Sequence, residues 1–247
     1  MLKKRLIPSL LIKNNKLVKT IEFKNPSYVG DPLNAIRIFN EKEVDEIIVI
    51  DIDASIKKNK PNYDLIHNIA SECFMPLCYG GGINELDVAK TVFDLGVEKI
   101  CLQSIVLKNY KIIDEISKIY GSQSVVISID IKKNFIGKYK LYSRNKNLSI
   151  NIDWKKHIYN CIEHGAGEFL INSVDKDGTL SGLDLNLIKE TKSVCSVPFI
   201  TIGGVNSIED AKKGISKGAD AIAAGSFFIY HGPHRAVLIT YPTNHEL

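Results

Sequence analysis

Two glycine turns carry the first chemical signal. Gly80-Gly81-Gly82 and Gly203-Gly204 each follow a short apolar run and precede a segment of helical periodicity. Glycine adopts φ > 0 and lets a backbone approach a ligand closely. Helix starts beyond the turns, near Asn84 and Ser207, would offer free N–H groups to an anion. The two turns belong to an internal repeat. Residues 76–104 align without a gap on 198–226, with nine of 29 positions identical. Both copies end in small polar stretches, Gln103-Ser104 and Gly225-Ser226. Taken singly, each turn reads as a tight bend. Taken as a pair, they read as two phosphate cradles for a ligand with two phosphates.

Asp130 ends another apolar run, and a carboxylate so placed is a candidate general acid or base. The alternative is a helix cap or an ion pair with Lys132 or Lys133. A second register of the repeat sets Ile7–Lys13 on Val126–Lys132, so Asp130 falls opposite Leu11, which transfers no proton. Asp51, Asp53 and the loop Asp175-Lys176-Asp177-Gly178-Thr179 supply further polar groups. That loop lacks calcium-loop spacing, and no metal site is expected. At the opposite ends of the same runs stand Arg5, Glu46, Lys99 and Glu168. Inward-pointing charges there must pair, and a closed salt-bridge plug is the direct reading.

The elements that would position these groups follow from the apolar pattern. Eight β-type runs, Leu6–Ile12, Glu46–Ile52, Met75–Tyr79, Lys99–Leu102, Ser124–Asp130, Glu168–Ile171, Pro198–Ile202 and Ala221–Ala224, are apolar throughout, as strands covered on both faces are. Seven segments of helical period alternate with them: Asp31–Asn40, Tyr63–Ala70, Glu85–Leu95, Tyr110–Tyr120, Trp154–Glu163, Asp184–Lys192 and Ser207–Lys217. This alternation within 247 residues predicts an α/β fold, a (β/α)8 barrel with a two-fold half-barrel repeat. An open doubly wound sheet is the alternative, but no GxGxxG follows the first strand. One domain over 1–247 is expected, with half-barrels at about 1–121 and 122–228 and an atypical tail at 229–247. In barrels the chemistry sits where strands end, which is where both glycine turns and Asp130 fall.

Composition narrows the partners. The 32 basic and 28 acidic side chains leave a charge of +4, a mild excess that suits an anionic small molecule and argues for no nucleic acid. Five cysteines without CxxC spacing read as buried thiols in a reducing compartment. No apolar run is long enough to span a membrane, and a cytoplasmic location is expected.

Taken together, the motifs resemble a known family. Lys4-Arg5, Val18-Lys19, Gly30-Asp31-Pro32, Asp51-Ile52 with Ala54-Ser55, Gly80-Gly81-Gly82-Ile83, Gly121-Ser122-Gln123, Ile129-Asp130, Gly165-Ala166-Gly167-Glu168, Asp177-Gly178-Thr179, Gly203-Gly204, and Gly218-Ala219-Asp220 with Ala223-Ala224 resemble the cyclase subunit of imidazole glycerol phosphate synthase, the HisF family. The resemblance runs to about Phe228. It implies a lyase that needs no cofactor and takes ammonia from a HisH-like glutaminase docked at the barrel bottom. It implies an ammonia gate at Arg5, Glu46, Lys99 and Glu168. One phosphate site would be Gly82, Gln103 and Ser104, the other Gly178, Gly204, Gly225 and Ser226. Lys19 maps onto a lysine of the loop after the first strand, and Asp130 onto one of two catalytic aspartates.

Position 11 is where the family carries its other catalytic aspartate, and here it is Leu11. Gln103 stands for the usual Asn, Asn172 for the usual Thr, and the tail from Phe227 to Pro242 is not the usual closing helix. These departures resemble a divergent branch associated with surface-polysaccharide and flagellin sugars. There a HisF-like subunit is thought to pass ammonia to an amidotransferase that turns an acetamido sugar into an acetamidino sugar. That is the leading expectation. The alternative is a histidine-pathway cyclase in which Asp51 or a water replaces the missing base, and the third is a non-catalytic scaffold that activates a glutaminase. The tail either packs on the barrel wall or contacts the amidotransferase.

Overall fold

In the computed structural model of the chain, residues 4–232 and 234–242 are described, with the backbone alone at Asn145. Met1 to Lys3, Pro233 and positions 243–247 of the expected tail, His245 among them, lie outside the described residues.

Eight parallel strands close into a barrel. They are β1 (Arg5–Lys13), β2 (Ile47–Asp51), β3 (Leu77–Gly80), β4 (Lys99–Leu102), β5 (Val125–Lys133), β6 (Glu168–Ser173), β7 (Phe199–Ile202) and β8 (Ala221–Ala224). Each pairs in parallel with the next, and β8 returns to β1, where Arg5 faces Ala221 and Pro8 faces Ala224. Closure leaves no strand edge to be covered. The helices are α1 (Pro32–Glu41), α2 (Tyr63–Glu72), α3 (Leu86–Asp94), α4 (Lys111–Tyr120), α5 (Trp154–Glu163), α6 (Leu185–Lys192), α7 (Ile208–Ser216) and the single turn α8 (Ser226–Ile229). A further turn, Ala54–Lys57, follows β2.

Local chemistry sets these limits. Asp31, Asn62, Asp153, Asp184 and Ser207 cap α1, α2, α5, α6 and α7, each side chain accepting from a backbone N–H of the first turn. The apolar stripes of the helices, with Phe39, Ile66, Val92, Ile113, Ile158 and Ile188 among them, cover the outer face of the strands. The inner face forms a separate cluster of Ile7, Ile48, Cys78, Cys101, Val126, Leu170, Ile200, Ala221 and Ala223. The side chains of each strand therefore alternate between two cores, as period two requires.

Two hairpins lie outside the sequence expectation, and the tail takes one of its two expected courses. Lys16–Ile21 and Lys24–Gly30 form an antiparallel hairpin that extends β1, reached through Asn14-Asn15, both at positive φ. Tyr139–Ser143 and Leu148–Ser149 extend β5 in the same way. The described tail makes a short hairpin, Tyr230–His231 with Ala236–Val237, then runs down the barrel wall. The Leu238 and Thr240 N–H groups donate to Ile229 O and Phe228 O, each at 2.9 Å. Tyr241 stacks on Phe228 with ring centres 5.4 Å apart, and its hydroxyl donates to Leu6 O at 2.8 Å. Packing on the chain's own wall is what the tail does.

Candidate active site at the barrel mouth

The floor of the barrel is a ring of four charges. Glu46 is 2% exposed and Glu168 5%. Arg5 donates one guanidinium nitrogen to Glu46 and another to Glu168. Lys99 Nζ lies 3.0 Å from both Glu46 oxygens and 2.9 Å from Glu168 Oε2. Each cation thus meets both anions, and each anion both cations. Burial pulls the Arg5 and Lys99 pKa values down, but Glu168 and Glu46 outweigh it and hold both above their usual ranges. Among the described residues, the buried ionisable side chains that face the barrel interior are Glu46 and Glu168 in this ring and Lys19 and Asp130 at the mouth, with the apolar inner cluster between them. The polar atoms of that cluster include the thiols of Cys78 and Cys101, and the Cys101 hydrogen bond and burial push the Cys78 thiol well up, so it stays neutral.

The inner cluster opens upward into a cavity lined at its rim by both glycine turns, Ser104, Ser226, Asp130, Leu11 and Lys19. The strand ends converge there, which brings together most of the residues singled out from the sequence. Asp130 is 5% exposed, and Gln103 Nε2 donates to its Oδ2 at 2.5 Å. Burial pushes its carboxyl up to about 7, against the hydrogen bond from Gln103. It neither caps a helix nor pairs with Lys132 or Lys133. Lys133 pairs with Asp184 at 2.8 Å instead.

Lys19 comes from the hairpin after β1. Its Nζ donates to Ser9 O at 2.5 Å, and burial lowers its pKa to about 8 against the charge of Asp177. The ammonium rests on Gly225, where any Cβ would collide with it. At Gly178 glycine is required, at φ +70 with the backbone Thr20 O where a Cβ would lie. Asp177, beside it, accepts from Thr20 Oγ1 at 3.2 Å, and burial raises its pKa to about 6, against Lys19. Lys19, Gly178, Gly204, Gly225 and Ser226 therefore border one side of the cavity, and Gly82, Gln103 and Ser104 border another. Gly82 N–H points at the Ser55 hydroxyl, 3.4 Å away.

Asp51 is engaged locally. Its Oδ1 accepts the backbone N–H groups of Asp53 (3.0 Å) and Ala54 (3.1 Å) at the start of the Ala54–Lys57 turn. The helix start after the second glycine turn is occupied as well: Ser207 Oγ accepts from Asp210 N–H at 3.1 Å, and Asp210 Oδ2 accepts from Asn206 N–H at 3.1 Å. No side chain caps α3 after the first turn, although Asp87 lies in its first turn, and none caps α8 at Ser226.

The sequence did not single out Arg144 or Phe23. Arg144, on the return of the β5 extension, lines the cavity with its guanidinium 5.7 Å from the Phe23 ring centre. Phe23 sits at the tip of the β1 extension, whose Glu22 N–H donates to Asp177 O at 2.9 Å. The positive-φ pair Glu22-Phe23 marks that tip, but only the fold carries it across the mouth.

The comparisons agree with the geometry. The family described as "Histidine biosynthesis protein" matches residues 5–234. A protein of Leptospira interrogans provisionally named imidazole glycerol phosphate synthase subunit HisF is 46% identical, over 100% of this chain and 98% of its own. A Pseudomonas aeruginosa protein, provisionally named as subunit hisF2, is 47% identical over 100% and 99%. The Exiguobacterium sibiricum imidazole glycerol phosphate synthase subunit HisF, named without that reserve, is 36% identical over 92% and 91%. The two provisionally named proteins share more with this chain than the third does. Closed barrel, paired floor and matched profile place the chain in the HisF family of histidine biosynthesis proteins, on the side of its divergent second copies.

Proposed function

We propose that this chain is the barrel subunit of an imidazole glycerol phosphate synthase-type assembly. A HisH-like glutaminase docks at the floor, ammonia passes the ring of Arg5, Glu46, Lys99 and Glu168, and the mouth takes a ligand with two phosphates. The observation that carries this reading is the column itself: a paired floor, an apolar inner cluster with no buried charge among the described residues between floor and mouth, and a buried carboxyl above it. Neutral ammonia crosses an apolar interior at little cost, whereas ammonium would have to be desolvated. The ring opposes it at the floor, where the Lys99 ammonium and the Arg5 guanidinium already pair with both carboxylates.

At the mouth Gly82, Gln103 and Ser104 hold one phosphate, and Gly178, Gly204, Gly225 and Ser226 the other, with Lys19 beside the second. Asp130 moves the proton. A carboxyl near 7 is half-ionised at neutral pH, which suits a group that must both accept and give. Ammonia attacks the ribulosyl-formimino ribotide, and ring closure and cleavage give imidazole glycerol phosphate and an aminoimidazole carboxamide ribotide. Asp51, with one oxygen engaged by backbone N–H groups, is the nearest candidate to serve as the second proton-transfer group.

Leu11 favours a second reading. With no carboxylate on the β1 side, the mouth lacks the two-group arrangement of the cyclase. The same column then hands its ammonia to a sugar amidotransferase that makes an acetamidino sugar. Turnover of the ribulosyl-formimino ribotide with ammonium salt, by wild type and by Leu11→Asp, separates the readings. Wild-type turnover of about 1 s⁻¹ or faster supports the cyclase. Turnover by Leu11→Asp alone supports the second reading. Silence from both variants, with the phosphate sites shown to bind, contradicts the cyclase outright.

A further inference from the structure

The largest charge imbalance in the chain lies in one segment that reaches the mouth cavity only through Arg144. Residues 132–156 hold eight of the 32 Lys and Arg side chains and one of the 28 Asp and Glu side chains. The rest of the chain carries 24 cations against 27 anions. Lys133 pairs with Asp184 and Lys155 with Glu190, each at 2.8 Å, while the other six form no ion pair among the described residues. The single acid, Asp153, is spent on the backbone N–H groups of Lys155 and Lys156.

This segment is the antiparallel extension of β5, and its outer turn is pre-formed. Asn134 Oδ1 accepts from the Ile136 and Lys138 N–H groups at 3.2 and 2.8 Å, and Gly137 takes φ +78. The turn holds Phe135 out at 99% exposure and Ile136 at 60%. A groove beside it is lined by Lys138, Lys140, Lys155 and the exposed Ile152. None of these residues lines the mouth cavity.

We propose that this hairpin docks the protein on an anionic lipid surface. Phe135 and Ile136 enter the boundary between headgroups and acyl chains, and the unpaired lysines around them meet headgroup phosphates. Aromatic and aliphatic tips ringed by lysine are what an interface of that kind binds, peripherally and without spanning. No helix among the described residues is long and apolar enough to cross a membrane. Nucleic acid fits less well, because Tyr139, Tyr142 and Trp154, the rings on which bases would stack, already carry Lys133, Lys132 and Lys155 at 5.1, 5.5 and 5.4 Å.

The test is co-sedimentation of the full chain with vesicles of phosphatidylglycerol and phosphatidylcholine in equal parts, against phosphatidylcholine alone. Binding is expected only to the first and should weaken with salt. Phe135→Ser with Ile136→Ser, and separately Lys138→Glu with Lys140→Glu, should each lower it by about tenfold or more. Lys212→Glu with Lys213→Glu, on the exposed face of α7, changes the net charge equally and should lower it far less. Absent binding, equal loss in the α7 variant, or binding indifferent to Phe135 and Ile136 would overturn the proposal. So would complete release by inorganic phosphate, which marks a free-anion site, or preference for single-stranded DNA over the vesicles.

Discussion

The floor and the mouth of this barrel use buried charge in opposite ways. At the floor two carboxylates and two cations are matched one against the other, with contacts of 3.0 Å or less from Lys99 to both glutamates. The balance holds the cations firmly charged. At the mouth the groups are buried without full partners. Asp130 has the side-chain amides of Gln103 and Asn172, Asp177 the Thr20 hydroxyl and the Phe23 backbone, and Lys19 a backbone carbonyl, and among the described residues none of the three forms an ion pair within 4.0 Å. Their pKa values converge to about 7, 6 and 8. Pairing fixes a charge; burial without pairing leaves it ready to change. The first arrangement suits a barrier, the second proton transfer.

Breaking the floor should have the largest effect. Lys99→Met leaves Glu46 and Glu168 sharing one guanidinium, and removing a partner from a buried ion pair costs about 3–5 kcal/mol. Urea denaturation reads this directly. A loss below about 1 kcal/mol would mean the floor is wet and the contrast with the mouth false.

Asp130→Asn sharpens the other side. A carboxyl whose folded pKa is raised keeps more protons in the native than in the unfolded state. Its contribution is therefore most favourable below the unfolded value near 3.8 and is lost as pH rises through about 7. The variant removes that loss. It should match wild type at pH 4 and exceed its stability at pH 8, by up to about 4 kcal/mol. A variant less stable than wild type at pH 8 would show that Asp130 is stabilised rather than strained by its site.

The tail should give the smallest change. Tyr241 hydrogen-bonds Leu6 O and lies 3.4 Å from Asp45 Oδ2, so it touches the neighbours of Arg5 and Glu46 in sequence. Tyr241→Phe should cost about 1 kcal/mol, read by thermal melting. A larger loss, together with a loss of the floor's resistance to urea, would mean that the ring depends on the strap.

Much of this was legible in the sequence. Continuous apolar runs marked all eight strands, and Asp31, Asp184 and Ser207 stood at the starts of helical segments, whereas the caps Asn62 and Asp153 lie one residue before the segments the periodicity showed. The pairing of Arg5, Glu46, Lys99 and Glu168 followed from their shared place at strand starts. What the sequence left out depends on long-range geometry. The hairpin after β1 had its signal in Asn14-Asn15, a pair suited to two successive positive φ values, but the lysine-rich flanks hid the strands. Lys19 was named only through the family resemblance; what its neighbours in sequence do not show is that its ammonium rests on Gly225, 206 positions away. Arg144 reaches the cavity only because the β5 extension turns back over the mouth. Of the two helix starts expected to meet anions, the one at Ser207 is filled by Ser207 and Asp210, a competition that lies within its own first turn, while the start of α3 carries no side-chain cap.

The central claim, that the mouth holds one buried carboxyl poised for proton transfer, is open to a direct measurement without any substrate. The carboxyl of Asp130 can be titrated by NMR in protein labelled with ¹³C-aspartate, with Asp130→Asn to assign the signal. The account requires a midpoint close to 7. A midpoint near 4, the ordinary aspartate value, would mean that water or a cation reaches the carboxylate, and the mouth would then be no more poised than the surface.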